Sequence, residues 1–289
     1  MTLRDYQDLS KKTVQGYNLK NKEHYFLGYL GLAGETGSVL TLLKKLLRDG
    51  EGFGSFESQL KEELGDVLWY IAAIASHYNF DLDEVAKINL EKTKDRFEGS
   101  YFSNIPRLDD KYEQRFPDSF IVQFEEQTNG SFLEVSMTWE KGKLGDPLTD
   151  NARIPNDYRY HDVFHLGHVA FLGWSPVMRH LMGLKRKSDP HTLDCEDRGR
   201  PQVAEEAVTL IIFNYAKGNK MLKESDRIDT DLLRTVKQIV IDLEVSVITA
   251  NHWEKTIIES YKVFHKLVEN RGGKVLVSVA ERKLEYIGT

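Results

Sequence analysis

Acidic residues on apolar helices are the feature that most constrains this chain. Between residues 24 and 96, apolar side chains recur at helical spacing. Glu63 and Asp66 are three residues apart and share a helix face, and Glu62 can reach Asp66 from one turn away. Carboxylates grouped in this way repel one another unless a cation lies between them. Mg²⁺, which proteins hold with a few carboxylates together with waters and phosphates, would supply that charge.

The apolar periodicity predicts two long helices that each bury one face. Their apolar positions are Leu27, Leu30, Leu40, Leu43 and Leu47 in the first helix, and Leu64, Val67, Leu68, Ile71 and Ile74 in the second. The predicted bounds are about 24–48 and 56–78. An amphipathic helix that ends near Gly16 is predicted before them, from a stripe at Leu3, Tyr6, Leu9, Thr13 and Tyr17. A further helix is expected from Leu82, since Asp81 with Glu84 has the spacing of a capping box.

Three strings in this region resemble the motifs of the MazG-type, all-α nucleoside triphosphate pyrophosphohydrolases. They are GLAGE at 31–35, EELGDVLWY at 62–70, and an Asn-x-x-Lys-x-x-x-Arg pattern at Asn89, Lys92 and Arg96. The resemblance covers roughly the first hundred residues, which is the length of a small domain. It implies an N-terminal helical bundle over residues 1–99 that forms homodimers or higher homo-oligomers and uses Mg²⁺, with Mn²⁺ as a substitute.

The same resemblance implies roles for individual residues. Glu35, Glu63 and Asp66 would be metal ligands, with Glu62 as a supporting acid, and these four would form the catalytic set. Asn89, Lys92 and Arg96 would face the triphosphate of the substrate. One position departs from the family pattern, because Ser38 stands where a second glutamate is usual, three residues after the first.

The expected function is hydrolysis of a nucleoside or deoxynucleoside triphosphate to a monophosphate and pyrophosphate. A nucleotide sensor is the alternative, in which Ser38 weakens the metal site and the C-terminal domain carries the output. A third reading places the main chemistry in the C-terminal domain.

Composition narrows the function classes. The 289 residues carry a formal net charge of −6, and no basic stripe is present, so neither nucleic acid nor a membrane surface is an expected partner. The single cysteine, Cys195, excludes an internal disulfide and fits a reducing cytoplasm. No apolar signal region begins the chain, which also favours a cytoplasmic protein.

A second domain is expected over residues 105–289, after helical periodicity stops at 99–106. Alternating apolar residues from Phe120 to Trp139 around Asn129-Gly130 predict a β-hairpin, and 275–279 reads as a short strand that could pair with it. Helices are expected at 205–215 and at about 230–270, the latter bent near Ser246 to Asn251. The fold class is therefore mainly α with a small β-sheet.

The C-terminal half contains the strings GDPLTDN at 145–151, HDVFH at 161–165, GWSP at 173–176 and RKSDP at 186–190. In these strings it resembles the extension found on some MazG-like proteins, whose activity the resemblance does not reveal. It contains a polar cluster of its own, with His161, His165 and His168 on one helical face next to Asp162. Histidines spaced i, i+4 can bind a transition metal if a further ligand converges. Candidates are Glu205 and Glu206, or the acids at 194, 196 and 197. The alternative is a set of buried histidines satisfied by hydrogen bonds. The basic run 185–187 is expected to be a solvated loop.

Overall fold

A computed structural model describes residues 1–14, 22–97 and 105–288, with the side chains of 22–25 outside the description. The chain forms two compact units, Met1–Thr93 and Lys94–Thr289. The domain boundary expected between 99 and 105 overlaps residues 98–104, which lie outside the described residues, as does the end expected near Gly16 for the first helix.

Unit 1 is built from helices at the predicted places. They are α1 at Leu3–Ser10, α2 at Lys22–Asp49, α3 at Phe56–His77 and α4, which begins at Leu82 and continues to Phe97 in unit 2. Asp81 accepts a hydrogen bond from the Asp83 amide at 2.9 Å and so caps the first turn of α4. Gln7 of α1 is buried and is held by Ser76, by the Phe80 carbonyl and by the Leu82 amide. These bonds tie α1 to the turn between α3 and α4.

Helices α2 and α3 pack closely because α2 carries glycine at the crossing point. A Cβ atom at Gly31 would lie 2.2 Å from the ring of Tyr70 in α3, closer than any side chain permits. Gly34 and Gly37, in contrast, face open space. Glycine at position 31 therefore serves helix packing. Packing does not explain the glycines at positions 34 and 37.

The five leucines of α2 that were predicted to face a core are exposed, so that expectation is wrong within a single chain, although Leu42 between them is buried. Two residues of the predicted apolar face of α3, Leu64 and Ile71, are exposed too. The exposed fractions are 67% for Leu30, 62% for Leu40 and 78% for Leu47. In α4, Ile88 and Leu90 are exposed as well. By length and composition alone Phe26–Gly52 could cross a membrane, and only 11% of its most apolar window is buried. One such helix near the N-terminus is weak evidence for a membrane span, and an uncovered apolar face is equally typical of an interface between copies.

Unit 2 contains a five-stranded antiparallel sheet with the strand order β3-β2-β1-β4-β5. The strands are β1 at Ser119–Asn129, β2 at Phe132–Trp139, β3 at Gly142–Leu148, β4 at Gly272–Ser278 and β5 at Lys283–Gly288. The predicted hairpin is β1–β2, turning at Gly130 with φ +61°, and the predicted C-terminal strand is β4, which pairs with β1. Strands β3 and β5 at the two edges were not predicted.

The first α-helix of unit 2 is short and continues as a π-helical turn. Helix α5 at Asp162–Gly167 runs directly into a π-helical turn at His168–Leu172, which Gly173 ends in the left-handed conformation. Such π-helical turns occur frequently at functional sites. The remaining helices are α6 at Pro176–Leu181, α7 at Pro190–Glu196, α8 at Gly199–Gly218, α9 at Thr230–Ile239 and α10 at Ala250–Asn270.

Two sequence-based expectations for unit 2 need correction. The stretch expected as one helix over about 230–270 with a bend near Ser246 to Asn251 is two α-helices. The chain leaves α-helical geometry between Ile239 and Ala250, where it forms a 3-10 turn at Glu244–Val247. Arg186 is not solvated: its side chain is fully buried, and its guanidinium binds Asp197 at 2.8 Å and Glu244 at 2.7 Å. A buried charge requires such partners, so Arg186 acts as a structural ion-pair residue.

Candidate functional site

Three of the predicted metal ligands converge in unit 1. Glu35 comes from α2, and Glu63 and Asp66 come from successive positions on one face of α3. One carboxylate oxygen of each lies within 4.8 Å of the other two. Glu35 and Glu63 are half-buried and Asp66 is exposed, so the group opens to solvent. No lysine or arginine within the described residues forms an ion pair with any of the three. The arrangement can therefore accept a divalent cation.

The surroundings of this acidic group fit a ligand site. Burial raises the pKa of Tyr6, and the negative charge of Asp66 raises it further. The open faces of Gly34 and Gly37 flank Glu35 in α2. Glu62 is exposed and is not brought into the group of three, and Ser38 is half-buried one turn after Glu35.

The three residues predicted to face the triphosphate do not behave alike. Asn89 and Lys92 are exposed on α4, and within the described part of the chain no hydrogen bond or ion pair joins them to the acidic group. Arg96 is buried within unit 2 instead. Its guanidinium donates to both oxygens of Glu254, at 2.7 and 2.8 Å, and to the Ile228 carbonyl at 3.0 Å. The guanidinium of Arg96, which was expected to bind a phosphate, is thus already engaged by a carboxylate.

Comparison with known proteins gives a family for both parts of the chain. The model of the MazG nucleotide pyrophosphohydrolase domain matches residues 29–99, and that of the MazG C-terminal domain matches residues 103–289. The chain belongs to the MazG family. Its first match contains all seven residues predicted for catalysis and substrate binding, so the chain carries a domain of a nucleotide pyrophosphohydrolase family, which acts on nucleoside triphosphates and is generally dependent on divalent metals.

One relative of this MazG-family chain is the "Gene 37 protein" of Mycobacterium phage L5. The two are 41% identical over 69 residues, which is 23% of this chain and 60% of the phage protein. The printed name of the relative states no activity. No solved structure matches the chain.

A second polar cluster lies in unit 2 around Glu205 of α8. The Glu205 side chain is fully buried. One of its oxygens accepts from the Nδ1 atoms of His165 and His168 at 2.8 and 2.9 Å. Its other oxygen accepts from the Ser175 hydroxyl at 3.0 Å and from the Val177 amide at 2.9 Å. Sequence reasoning named Glu205 and Glu206 together and could not foresee that Glu205 is wholly engaged in hydrogen bonds.

The charges in this cluster are set by that carboxylate. Burial alone would raise the pKa of Glu205, but the two imidazoles outweigh burial and lower the pKa to about 2. Burial opposes a charge on His165, yet Glu205 and Glu206 together raise its pKa well above 6.5. Burial lowers the pKa of His168 below 6.5. The hydrogen-bonded centre is therefore an ion pair between His165 and Glu205, with His168 as a neutral donor.

Glu206 points to a different part of the cluster. Its carboxylate lies 3.5 Å from Nε2 of His165 and 4.0 Å from Nε2 of His161. Asp162 is 3.5 Å from the same atom of His161. Tyr158 stacks on the His161 ring with centroids 4.2 Å apart, and burial together with these two acids raises the pKa of its hydroxyl to about 12.

The position of Arg96 leads to a stability prediction. We expect Arg96→Ala to lower the free energy of unfolding of unit 2 by about 3–5 kcal/mol, because it leaves the carboxylate of Glu254 buried without its partner. Urea unfolding followed by intrinsic fluorescence measures this change. Arg227→Ala is the matched control, because Arg227 is 65% exposed and lies 3.5 Å from the same carboxylate; it should cost well under about 1 kcal/mol. An unchanged unfolding curve for Arg96→Ala would show that the pair contributes nothing.

The same pair has a defined pH dependence. Burial raises the pKa of Glu254, but hydrogen bonds from Arg96 and the Ile228 amide outweigh burial and hold the pKa below its ordinary value of 4.5. A carboxyl with a lowered folded pKa stabilises the fold above its ordinary value and loses that contribution as the pH falls towards the folded value. Wild-type stability should therefore decline below pH 4.5, and Glu254→Gln should make the decline shallower.

Proposed function

We propose that this chain is a Mg²⁺-dependent nucleoside triphosphate pyrophosphohydrolase that releases a nucleoside monophosphate and pyrophosphate, with Mn²⁺ as a substitute ion. The observation that carries the proposal is the convergence of Glu35, Glu63 and Asp66 from two helices to within 4.8 Å. Three carboxylates at this separation repel one another, and a divalent cation would turn that repulsion into attraction. The match to the pyrophosphohydrolase domain supports the same reading.

The donor set suits magnesium. All three side chains offer oxygen, and Mg²⁺ prefers a small number of carboxylates while keeping waters and substrate phosphates as its other ligands. Asp66 is exposed, which leaves room for those further ligands. When bound, Mg²⁺ would lower the pKa of a coordinated water and offset charge on the α-phosphate.

The side chains of the chain would divide the remaining work. Glu35, Glu63 and Asp66 hold the ion, and Glu62 on the same helix supports them with its negative charge. Lys92 supplies a positive charge and Asn89 a hydrogen-bond donor for the triphosphate. The oxygen of water joins the α-phosphorus and its proton passes to solvent, while the bond from that phosphorus to the bridging oxygen breaks and pyrophosphate leaves. Arg96 has no part in this scheme, because Glu254 engages its guanidinium.

Self-association is part of the proposal. Leu40, Leu43 and Leu47 form an apolar stripe on α2 at i, i+3 and i+7, and all three are at least 45% exposed. Burying such a stripe against a second copy gains about 25 cal/mol for each Å² of apolar surface removed from water. A second copy could also supply the phosphate-binding residues of α4, since Asn89 and Lys92 do not contact the acidic group of their own chain within the described residues. The assembly would be a homodimer or a higher homo-oligomer.

A nucleotide sensor is the second candidate, and Ser38 favours it. A hydroxyl at this position, one turn from Glu35, brings no negative charge to the metal site. A weaker site would bind nucleotide without efficient cleavage and pass the signal to the C-terminal domain.

The first prediction of the proposed function concerns catalysis. Pyrophosphate release from a panel of common and modified nucleoside triphosphates with Mg²⁺ should fall by roughly 100-fold or more in Glu63→Gln and Asp66→Asn, since loss of a metal ligand costs more than the 10–100-fold typical of its outer partners. Glu57→Gln, an exposed acid on the same helix, should retain wild-type rates. Wild-type turnover preserved in both ligand variants would contradict the assignment.

The second prediction concerns assembly. Leu40→Glu combined with Leu47→Glu should shift the protein to monomers in light scattering and raise the dissociation constant at least about 100-fold, because each buried charge costs several kcal/mol. Val203→Glu, at an exposed valine of unit 2, should leave the assembly intact. If wild type is monomeric and binds lipid vesicles, the apolar face of α2 contacts membrane instead.

The third prediction separates enzyme from sensor. If Ser38 has weakened the metal site, Ser38→Glu should raise Mg²⁺ affinity and pyrophosphate release together, since it adds a carboxylate one turn from Glu35. If Ser38 belongs to an efficient site, turnover should stay equal or fall. Parallel titrations of Mg²⁺ for wild type and variant distinguish the two.

A further inference from the structure

We propose that His161, His165 and Glu206 form a binding site for a divalent transition-metal ion in unit 2. This site goes beyond the proposed pyrophosphohydrolase activity and uses none of its residues. The two histidines stand one helical turn apart at the start of α5, and the carboxylate comes from α8.

The separations suit one ion. Nε2 of His165 and Nε2 of His161 lie 3.5 and 4.0 Å from the same oxygen of Glu206. Ligands arranged tetrahedrally at ordinary zinc–nitrogen and zinc–oxygen distances are about 3.4 Å apart. The ligand atoms of the two histidines also lie within 4.8 Å of each other, so the three could surround one ion after small movements of the side chains.

The other ring nitrogen of each histidine is held by an acceptor. Nδ1 of His161 lies 2.9 Å from the Tyr158 carbonyl, and Nδ1 of His165 lies 2.8 Å from Glu205. Both partners can only accept, so each Nδ1 carries a hydrogen and metal binding falls to Nε2. Without the ion, His165 is the cation paired with Glu205, so an ion bound at its Nε2 would displace the proton there, which passes to solvent. Metal-binding histidines are oriented in this way by a carbonyl or carboxylate behind them.

One ligand atom lacks any other partner. Nε2 of His165 is buried without a hydrogen bond among the described residues, on a side chain that is 0% exposed. Buried polar atoms in native proteins are nearly always satisfied. A metal ion bridging to Glu206 would satisfy this nitrogen.

The arrangement also leaves a way in. The Glu206 side chain is 47% exposed, while those of His161 and Asp162 are each 9% exposed. The ion could enter past Glu206 and keep a position for water or a substrate atom, as catalytic zinc sites with two histidines and a glutamate do. Asp162 lies 3.5 Å from Nε2 of His161 and is outside the group of three ligand atoms.

The neighbouring trio of His165, His168 and Glu205 is not the site. Its nitrogen–oxygen separations of 2.8 and 2.9 Å are those of hydrogen bonds, and both oxygens of Glu205 are already shared among four donors. Glu205 instead fixes the orientation of His165 from behind.

The ligand types point to the class of ion. Imidazole nitrogen suits zinc, copper, iron and nickel, whereas magnesium, calcium and manganese prefer oxygen ligands. This donor set therefore differs in kind from the all-carboxylate group of unit 1, and the two can be told apart by competing ions.

The test uses the full chain, stripped with a chelator and titrated with Zn²⁺ in the presence of millimolar Mg²⁺. To keep the unit 1 carboxylates from contributing, the titration is carried out in a Glu63→Gln, Asp66→Asn background. Calorimetry should show one zinc equivalent. Glu206→Gln and His161→Gln should each weaken zinc binding at least tenfold, and the zinc-induced rise in melting temperature should shrink in parallel.

Matched controls are Glu113→Gln and His180→Gln, which change exposed residues of the same types and should bind zinc as the background does. Glu206 is half-exposed, so its variant should fold, and circular dichroism verifies this. Zinc binding unchanged in both ligand variants would overturn the proposal. If the Glu63→Gln, Asp66→Asn protein bound no zinc, the proposal would also be overturned. His161, His165 and Glu206 would then be a hydrogen-bonded cluster without a metal.

Discussion

The carboxylate of Glu205 is the interaction on which unit 2 depends. It is wholly buried, and its four donors come from α5, from the π-helical turn and from the first turn of α6. An ionised carboxylate is costly to bury unless it is paired and hydrogen-bonded. These elements must therefore assemble together around α8. If one of them were out of place, its donor and an oxygen of Glu205 would each lose a hydrogen bond. The orientation of His165, and with it the polar cluster open to solvent at Glu206, follows from that assembly.

Unit 1 handles its acids in the opposite way. Glu35, Glu63 and Asp66 are brought together without cationic partners among the described residues, and two helices hold them there because Gly31 lets α2 approach Tyr70 closely. The helix packing maintains a repulsion that a bound cation would relieve. Like charges of this kind are tolerated where function requires them. The same helix carries an uncovered leucine stripe, so the site and the face expected to bind a second copy share one element.

The sequence was informative wherever local pattern decides the outcome. The four helices of unit 1, the hairpin at Asn129-Gly130 and the strand after residue 272 all follow from periodicity and turn chemistry, and they are present in the structure. The pair Glu63 and Asp66 followed from its spacing on one helix face, whereas Glu35 was named through the family resemblance. Edge strands β3 and β5 were missed because Gly145, Pro147 and the glycine at 288 interrupt any alternating signal.

Long-range partners were beyond local pattern. Arg96 and Glu254 are 158 residues apart, and nothing near Arg96 in the chain indicates that it binds a carboxylate of unit 2. Arg186 was read as solvated for the same reason, since Asp197 and Glu244 reach it only in the folded state. The leucines of α2 were assigned to a core because periodicity reports that a face is apolar and not which molecule covers it.

The two polar clusters differ in the chemistry of their donors, and this difference has a consequence for how the chain could use metal ions. An oxygen-only group open to phosphate favours Mg²⁺, which is labile and arrives with its nucleotide. A group with two imidazoles backed by buried acceptors favours a transition metal that stays with the protein. Because Glu205 is satisfied by hydrogen bonds alone, unit 2 does not need the ion to fold, and Glu206 remains free to gain or lose it. Metal in unit 2 would therefore add stability to a unit that does not depend on it, and it would be separable from the nucleotide chemistry of unit 1.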